Sequence, residues 1–162
     1  MREWSVNTFM KTDKQSPQIL NDFLAYLYTV KGKSQKTAHE YYLDLRMFFR
    51  FIKQQRGLAD DIPFDEIPIT DIDIEFIRTI TLSDAYAFLM YTAQDRLKHN
   101  NSDHSDVGLL STSRARKVSA LRSFFKYLTD KAHLLSHNPI QNLEYPSVRR
   151  SLPKYLTVDE SI

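Results

Sequence analysis

Cysteine is absent from the 162 residues. That excludes a disulfide scaffold, thiolate-ligated zinc and a thiol nucleophile. Glycine is scarce, at three residues, so long stretches can run as helix without interruption, and no glycine-rich phosphate loop is present. No apolar run approaches the ~20 residues of a membrane span. The opening stretch, Met1 to Ser16, has no signal-peptide core. A cytoplasmic location and no membrane association are therefore expected. Period-two alternation is missing over any length, which argues against strands, and there is no internal repeat.

Charge is plentiful but nearly balanced, with a formal net of +2. Its placement says more than its sum. Between Ala59 and Glu75 stand seven acids and no base, and between Ser113 and Lys126 five bases and no acid. Such a lopsided field can orient a polyanion.

Hydrophobic spacing predicts helices over 17–31, 36–55, 82–98 and 113–131. In the first, Ser16 is the expected cap, Ile19, Leu20, Phe23, Leu24, Leu27 and Tyr28 form the stripe, and Gly32 suits the left-handed exit. Ala38, Tyr41, Tyr42, Leu45, Phe48, Phe49 and Ile52 give the second a broad aromatic face, with Gly57 ending it. Thr81 and Asp84 resemble a capping box for the third, whose buried side is read as Leu82, Ala85, Tyr86, Leu89, Ala93 and Leu97. Ala115, Val118, Leu121, Phe124, Phe125 and Leu128 face inward on the fourth. The proline-broken acidic stretch reads as a solvated loop with one short helix near 71–77, and 99–108 as a mobile loop. A short fifth helix is expected from Asn138-Pro139, with Ile140 and Leu143 inward. The fold class is all-α, a compact bundle of four to five helices spanning 16–145, preceded by a flexible segment (1–15) and followed by a linker (146–162).

The fourth helix carries the sharpest functional pattern. Opposite its apolar half lie Arg116, Ser119, Ala120, Arg122, Ser123 and Lys126, with Arg114 and Lys117 nearby. Cations separated by small or hydroxyl residues suit a major groove about 12 Å wide, where arginines reach phosphates and guanine edges. A solvated face without a partner more usually mixes Glu with Lys. On the second helix His39, Arg46, Arg50 and Lys53 fall in one sector opposite the aromatic face, with Lys33 and Lys36 at its start. Thr37 sits in the first turn, where backbone amides favour an anion, although taken alone it reads better as a plain capping residue. No metal ligand set, nucleophile elbow or cofactor motif is found. From residues alone, three classes remain: a double-stranded DNA-binding arm, a helical protein–protein module whose basic faces meet an acidic partner, and a stand-alone DNA-binding regulator.

The stretch Thr37-Ala-His-Glu-Tyr-Tyr-Leu-Asp-Leu-Arg-Met-Phe-Phe-Arg-Phe-Ile resembles the second helix of tyrosine recombinases of the Xer and phage-integrase type, written T-x-x-x-Y-x-x-D-L-x-x-F-x-x-F. Ser113-Arg-Ala-Arg-Lys-Val-Ser-Ala-Leu-Arg-Ser-Phe-Phe-Lys-Tyr-Leu is similar to their R-[RK]-[LIV]-S-[AT]-[LI]-R helix. Asn138-Pro139 matches their N-P turn. Leu152-Pro-Lys-Tyr-Leu-Thr-Val-Asp-Glu looks like the L-P-x-x-L-[ST]-x-x-E that opens their catalytic domain. The four motifs occur in the family's order.

This resemblance implies a SAM-like core-binding domain that clamps one face of a recombination half-site. Carried over by motif, Thr37, Tyr41 and Arg46 would be contacts or supports on the second helix, and Arg116, Lys117, Ser119 and Arg122 contacts on the fourth. Lys117 lies near the apolar border, so its stem is expected to pack while its head reaches out. The implied partners are double-stranded DNA, other recombinase protomers and a C-terminal catalytic domain. The implied chemistry, DNA strand exchange through a phosphotyrosine link with neither metal nor cofactor, belongs to that domain. None of the nine tyrosines here sits in a nucleophile's context, so this stretch of chain is expected to bind and not to cut. Two departures stand out. Tyr42 and Leu43 occupy positions where many relatives carry bases, which weakens the second helix's grip. The acidic stretch is longer than the family's pattern and should sit away from DNA.

Overall fold

A computed structural model describes residues 15–99 and 106–147, with side chains over 15–94 and 112–147. The segment 1–14, the centre of the 99–108 loop, Leu97 and the L-P-x-x-L motif lie outside the described residues. Helices α1 (Gln18–Thr29) and α2 (Gln35–Gln55) lead to a 3-10 turn (Phe64–Glu66) and a short α3 (Ile74–Arg78). Helices α4 (Leu82–His99) and α5 (Asp106–Lys126) follow, and α5 runs on into a π-helical turn (Tyr127–Lys131). Five α-helices and no strand among the described residues make the chain all-α, as the periodicity requires.

Local chemistry explains most of the boundaries. Gly32 and Gly57 adopt φ of +63° and +66°, a region L side chains avoid. Past them the Lys33 amide returns to the Leu27 carbonyl at 3.0 Å and the Leu58 amide to Lys53 at 2.9 Å, satisfying helix-end carbonyls. Thr81 and Asp84 form a reciprocal capping box: the Thr81 amide donates to Asp84 at 2.9 Å and the Asp84 amide to Thr81 Oγ1 at 3.2 Å. Ser16 does not cap α1. Pro17 takes the cap position, its carbonyl accepting from Leu20 and Asn21, and the buried Ser16 hydroxyl has no hydrogen-bond partner among the described residues. Ser34 caps α2, one turn before Thr37.

The core is aromatic. Phe23, Phe48, Phe49, Phe88, Phe124 and Phe125 are fully buried. Phe124 receives Phe23 edge-on at 5.2 Å and Phe49 at 5.9 Å, while Phe48 meets Phe88 at 5.2 Å. Each such pair adds roughly 0.5–1.5 kcal/mol beyond its buried area. The stripe of α4 runs through Ala85, Phe88 and Thr92, so Phe88 takes the place expected of Tyr86, which is 44% exposed. The spacing 85, 88, 92 follows one helical face, and Tyr86 lies about 100° off it.

The acidic stretch is not a solvated loop. Ile67, Ile69 and Ile72 within it and Ile77 and Ile80 just beyond are buried, Ile74 is part-buried and Ile62 exposed, and its seven acids are all exposed. It forms a layer on α2, with the short helix beginning at Ile74 and capped by Asp73, whose carboxylate accepts from the Phe76 amide at 2.9 Å. Helix α5 starts at Asp106, so the end of the expected 99–108 loop is helical. The 138–143 segment forms turns in place of a fifth helix, because Asn138 Oδ1 accepts the Ile140 amide at 3.0 Å and closes the chain locally. Ile140 and Leu143 are nevertheless fully buried.

After the π-helical turn, His133 takes φ +53° while the Leu134 amide reaches the Leu128 carbonyl at 2.8 Å. This is a helix exit that glycine fills most easily. His133 is exposed, so its ring offsets little of the left-handed penalty of roughly 1–2 kcal/mol. Replacing His133 by Gly is therefore expected to leave the fold intact and raise stability by about 0.5–1 kcal/mol in urea titration. A loss of stability would show that the histidine ring holds this exit.

Candidate nucleic-acid interface

Helix α5 buries Lys117, Val118, Ala120, Leu121, Phe124 and Phe125, and the π-helical turn after it buries Leu128. Its inner side is wider than the apolar pattern alone, and two residues expected outside are turned in. Ala120 lies one turn before Phe124 and is packed with it. Lys117 is 5% exposed, with its ammonium 2.8 Å from Asp44 Oδ1. Its head therefore goes inward, because a buried carboxylate on the neighbouring helix draws it there.

Asp44 is the residue the sequence reading missed. It is 3% exposed and takes two cations at once. Arg116 donates from Nε at 2.8 Å and from Nη2 at 3.0 Å, across 72 residues of chain. The hydrogen bonds to Asp44 are the main reason the Arg116 pKa is raised, against the opposing effect of burial. Glu40 Oε2 lies 4.0 Å from Nη1. Arg116 is thus largely committed to carboxylates and not free to reach outward. The motif holding Asp44 offered the signal: with Glu40 it makes an acidic pair one turn apart on a helix otherwise rich in cations and aromatics.

One turn on, Ser119 lies beside two phenols. Its hydroxyl shares a 3.1 Å hydrogen bond with the Tyr145 hydroxyl, and the Tyr41 phenol is near enough for both to shift its pKa. Burial raises the Tyr41 pKa and Tyr145 raises it further, while the Ser119 bond opposes both. Arg122 donates from Nη1 to the Leu143 carbonyl, and its Cζ lies 5.6 Å from the Tyr145 ring centroid. Tyr41, Ser119, Arg122 and Tyr145 therefore make one linked surface where α2, α5 and the chain after Leu143 meet. Lys126 is exposed one turn beyond Arg122, and Arg114 is part-buried one turn before Val118.

Arg46 and Arg50 stand elsewhere. Asp44 and Arg46 are two residues apart, roughly 160° around the helix, so the Arg46 ridge turns away from α5. Arg46 stacks on Tyr42 at 5.4 Å, and Arg50 Nε donates to the Ile67 carbonyl at 3.0 Å. Both line a cavity of about 410 Å³ shared with Asp65 and Glu66. Burial lowers the Arg50 pKa, and the neighbouring Arg46 lowers it further. Lys53, expected in the same outward sector, is 6% exposed and donates to the Pro68 carbonyl at 2.7 Å and to Asp71. The acidic layer covers that sector, which is why the wheel alone misplaced it. Thr37 is part-buried at the start of α2, where Ser34 Oγ already accepts its amide at 3.1 Å; an anion there would find that amide taken. The two arginine sets are not brought to one surface.

No group of three or more His, Asp or Glu is arranged to hold a metal, and no helix is long and apolar enough to cross a membrane, among the described residues. The class so defined is an all-α bundle with a basic, phenol-lined face on its last helix. No family model matches the chain, and no solved structure matches it. Its curated homologues are Xer tyrosine recombinases. It is 43% identical over 166 residues to tyrosine recombinase XerC of Caldanaerobacter subterraneus subsp. tengcongensis, covering 99% of this chain and 44% of that protein. It is 29% identical to XerD of Listeria monocytogenes over 88% of this chain and 38% of that one. XerC of Herpetosiphon aurantiacus is 30% identical over 87% of this chain and 36% of its own length. The chain thus spans less than half the length of these relatives.

Replacing Asp44 by Ala removes the acceptor for two cations, one of them buried. That is expected to destabilise the bundle by about 3–5 kcal/mol in denaturant titration. A loss under about 1 kcal/mol would show that the cluster is not what joins α2 to α5.

Proposed function

We propose that this chain is the DNA-binding arm of a site-specific tyrosine recombinase, a SAM-like core-binding unit over 16–145 that grips one half-site through α5. One observation carries the reading: the row of cations from Arg114 to Lys126 contains no acid, in a chain that recombinases match almost throughout. Arg122 and Lys126 supply the exposed charge, with Ser119, Tyr41 and Tyr145 one turn before Arg122. Small and hydroxyl side chains such as Ser119 and Ser123 let a helix approach the groove floor. Arg116 and Lys117 act indirectly, by fixing the rotation of α5 through Asp44. Arg46 and Arg50, on the far flank of α2, reach a phosphate only if the duplex extends past the Tyr42 ridge.

Strand cutting is assigned to a catalytic domain following the linker at 146–162, and the chain described here contributes binding. Its partners are then double-stranded DNA, that catalytic domain and further protomers on the same site, in the cytoplasm. DNA integration and recombination are activities of the whole assembly. The exposed acids of the layer on α2 repel phosphate, which favours a duplex lying on the α5 side.

Fluorescence anisotropy with duplex DNA tests this. Micromolar affinity is expected at moderate salt, within the non-specific range of about 10⁻⁴–10⁻⁶ M. Contacts to three phosphates would lower affinity roughly 40-fold between 50 and 200 mM salt, at about 0.9 in log K per phosphate. Replacing Arg122 and Lys126 together by Ala should flatten that slope by about two phosphates' worth while leaving the circular dichroism unchanged. Salt-independent binding, or a slope untouched by the double substitution, would move the chain to the class of protein–protein modules.

A further inference from the structure

Arg122 differs from its neighbour Arg116 in what its guanidinium has left to give. Arg116 spends Nε and Nη2 on Asp44 and turns Nη1 towards Glu40. Arg122 spends only Nη1, on the Leu143 carbonyl, and among the described residues its Nε and Nη2 have no partner. The group is nevertheless held. Leu143 is fully buried, so the accepting carbonyl is anchored in the core. The Tyr145 ring lies against the guanidinium, and its hydroxyl is tied to Ser119, three residues before Arg122 on the same face of α5. Tyr145 remains 53% exposed, so the stacked pair opens to solvent. A guanidinium tethered at Nη1 and resting beside an exposed ring, with Nε and Nη2 unengaged among the described residues, keeps donors for hydrogen bonds to a phosphate or a guanine edge.

We propose that Arg122 is the arginine through which α5 grips DNA, and that Tyr145 is its positioning residue. This rests on the nucleic-acid reading above and deepens it. A free arginine loses rotamer freedom when it binds; one already stacked and tethered loses less, and the difference appears as affinity. The segment leaving the bundle after Leu143 is thereby part of the binding face and not only a connector.

A double-substitution cycle on the full chain tests the assignment, using duplex anisotropy with circular dichroism and melting as controls. Tyr145→Ala is expected to weaken binding five- to tenfold, with helicity and melting unchanged because the residue is largely exposed. Tyr145→Phe, which keeps the ring and loses only the Ser119 bond, should lose clearly less than the alanine variant. In an Arg122→Ala background, Tyr145→Ala should have no further effect, since a positioning residue matters only through what it positions. A fully additive pair, or a neutral Tyr145→Ala, overturns the proposal. So does an Arg122→Ala variant that binds like the native chain while binding stays salt-sensitive; that outcome leaves α5 as the interface and removes only Arg122 from its centre. A native chain that shows no salt-sensitive duplex binding overturns both this proposal and the reading beneath it.

Discussion

A single carboxylate, Asp44, sits almost without solvent between the two longest helices and is matched by two cations from α5. A buried charge of this kind is tolerable only when its partners are held in good geometry, because removing either side strands the other. The aromatic core would accept α2 and α5 over a range of rotations, since phenyl rings slide and tilt with little penalty. Three directed bonds to one carboxylate group do not. They set which residues of α5 turn in and, by the helix's own period, which turn out. The outward aim of Ser119, Arg122 and Lys126 is thus decided by a residue on another helix that none of them touches.

The parts of the fold that depend on neighbours within a turn were legible in the sequence. Apolar spacing located the four long helices, Gly32 and Gly57 marked two exits, and Thr81 with Asp84 announced a cap that the structure builds in both directions. What escaped were pairings across long stretches of chain. Nothing local to Lys53 says that Pro68 and Asp71 will fold back over it, and nothing local to Lys117 says that its ammonium will turn inward. The acidic layer was misread because its charges were counted and its isoleucines were not. Ile67, Ile69, Ile72, Ile77 and Ile80 carry a burial pattern that acids between them mask. On α4 a one-position choice between Tyr86 and Phe88 turned on which face meets α2, a question that a lone helix cannot answer.

The candidate site was legible as a set of residues and not as a surface. Arg116, Ser119 and Arg122 do lie along α5, but Arg116 is spoken for, and no local pattern singles out Tyr145 as part of the site. The two arginine groups on α2 and α5, read as one cationic wall, occupy different flanks. The relatives it resembles are tyrosine recombinases. The geometry adds that several of its cations, among them Arg50, Lys53, Arg116 and Lys117, are employed in joining one part of the bundle to another.

The acidic layer lies on the side of α2 turned away from Asp44 and α5, with Lys53 fastening it from below and its seven acids facing water. Because Arg50 and Lys53 are engaged by that layer, the long second helix shows little positive charge on that flank. The exposed acids of the described residues are therefore concentrated on this flank, although Arg78 stands beside them and Asp130 and Glu144 lie beyond the end of α5. A polyanion drifting close would feel torque before touching anything, and the protein would rotate to meet it α5 first. Such steering acts on how often a collision succeeds and fades within a Debye length of about 10 Å at 0.1 M salt. A layer of this charge would in this way govern how quickly a polyanion docks.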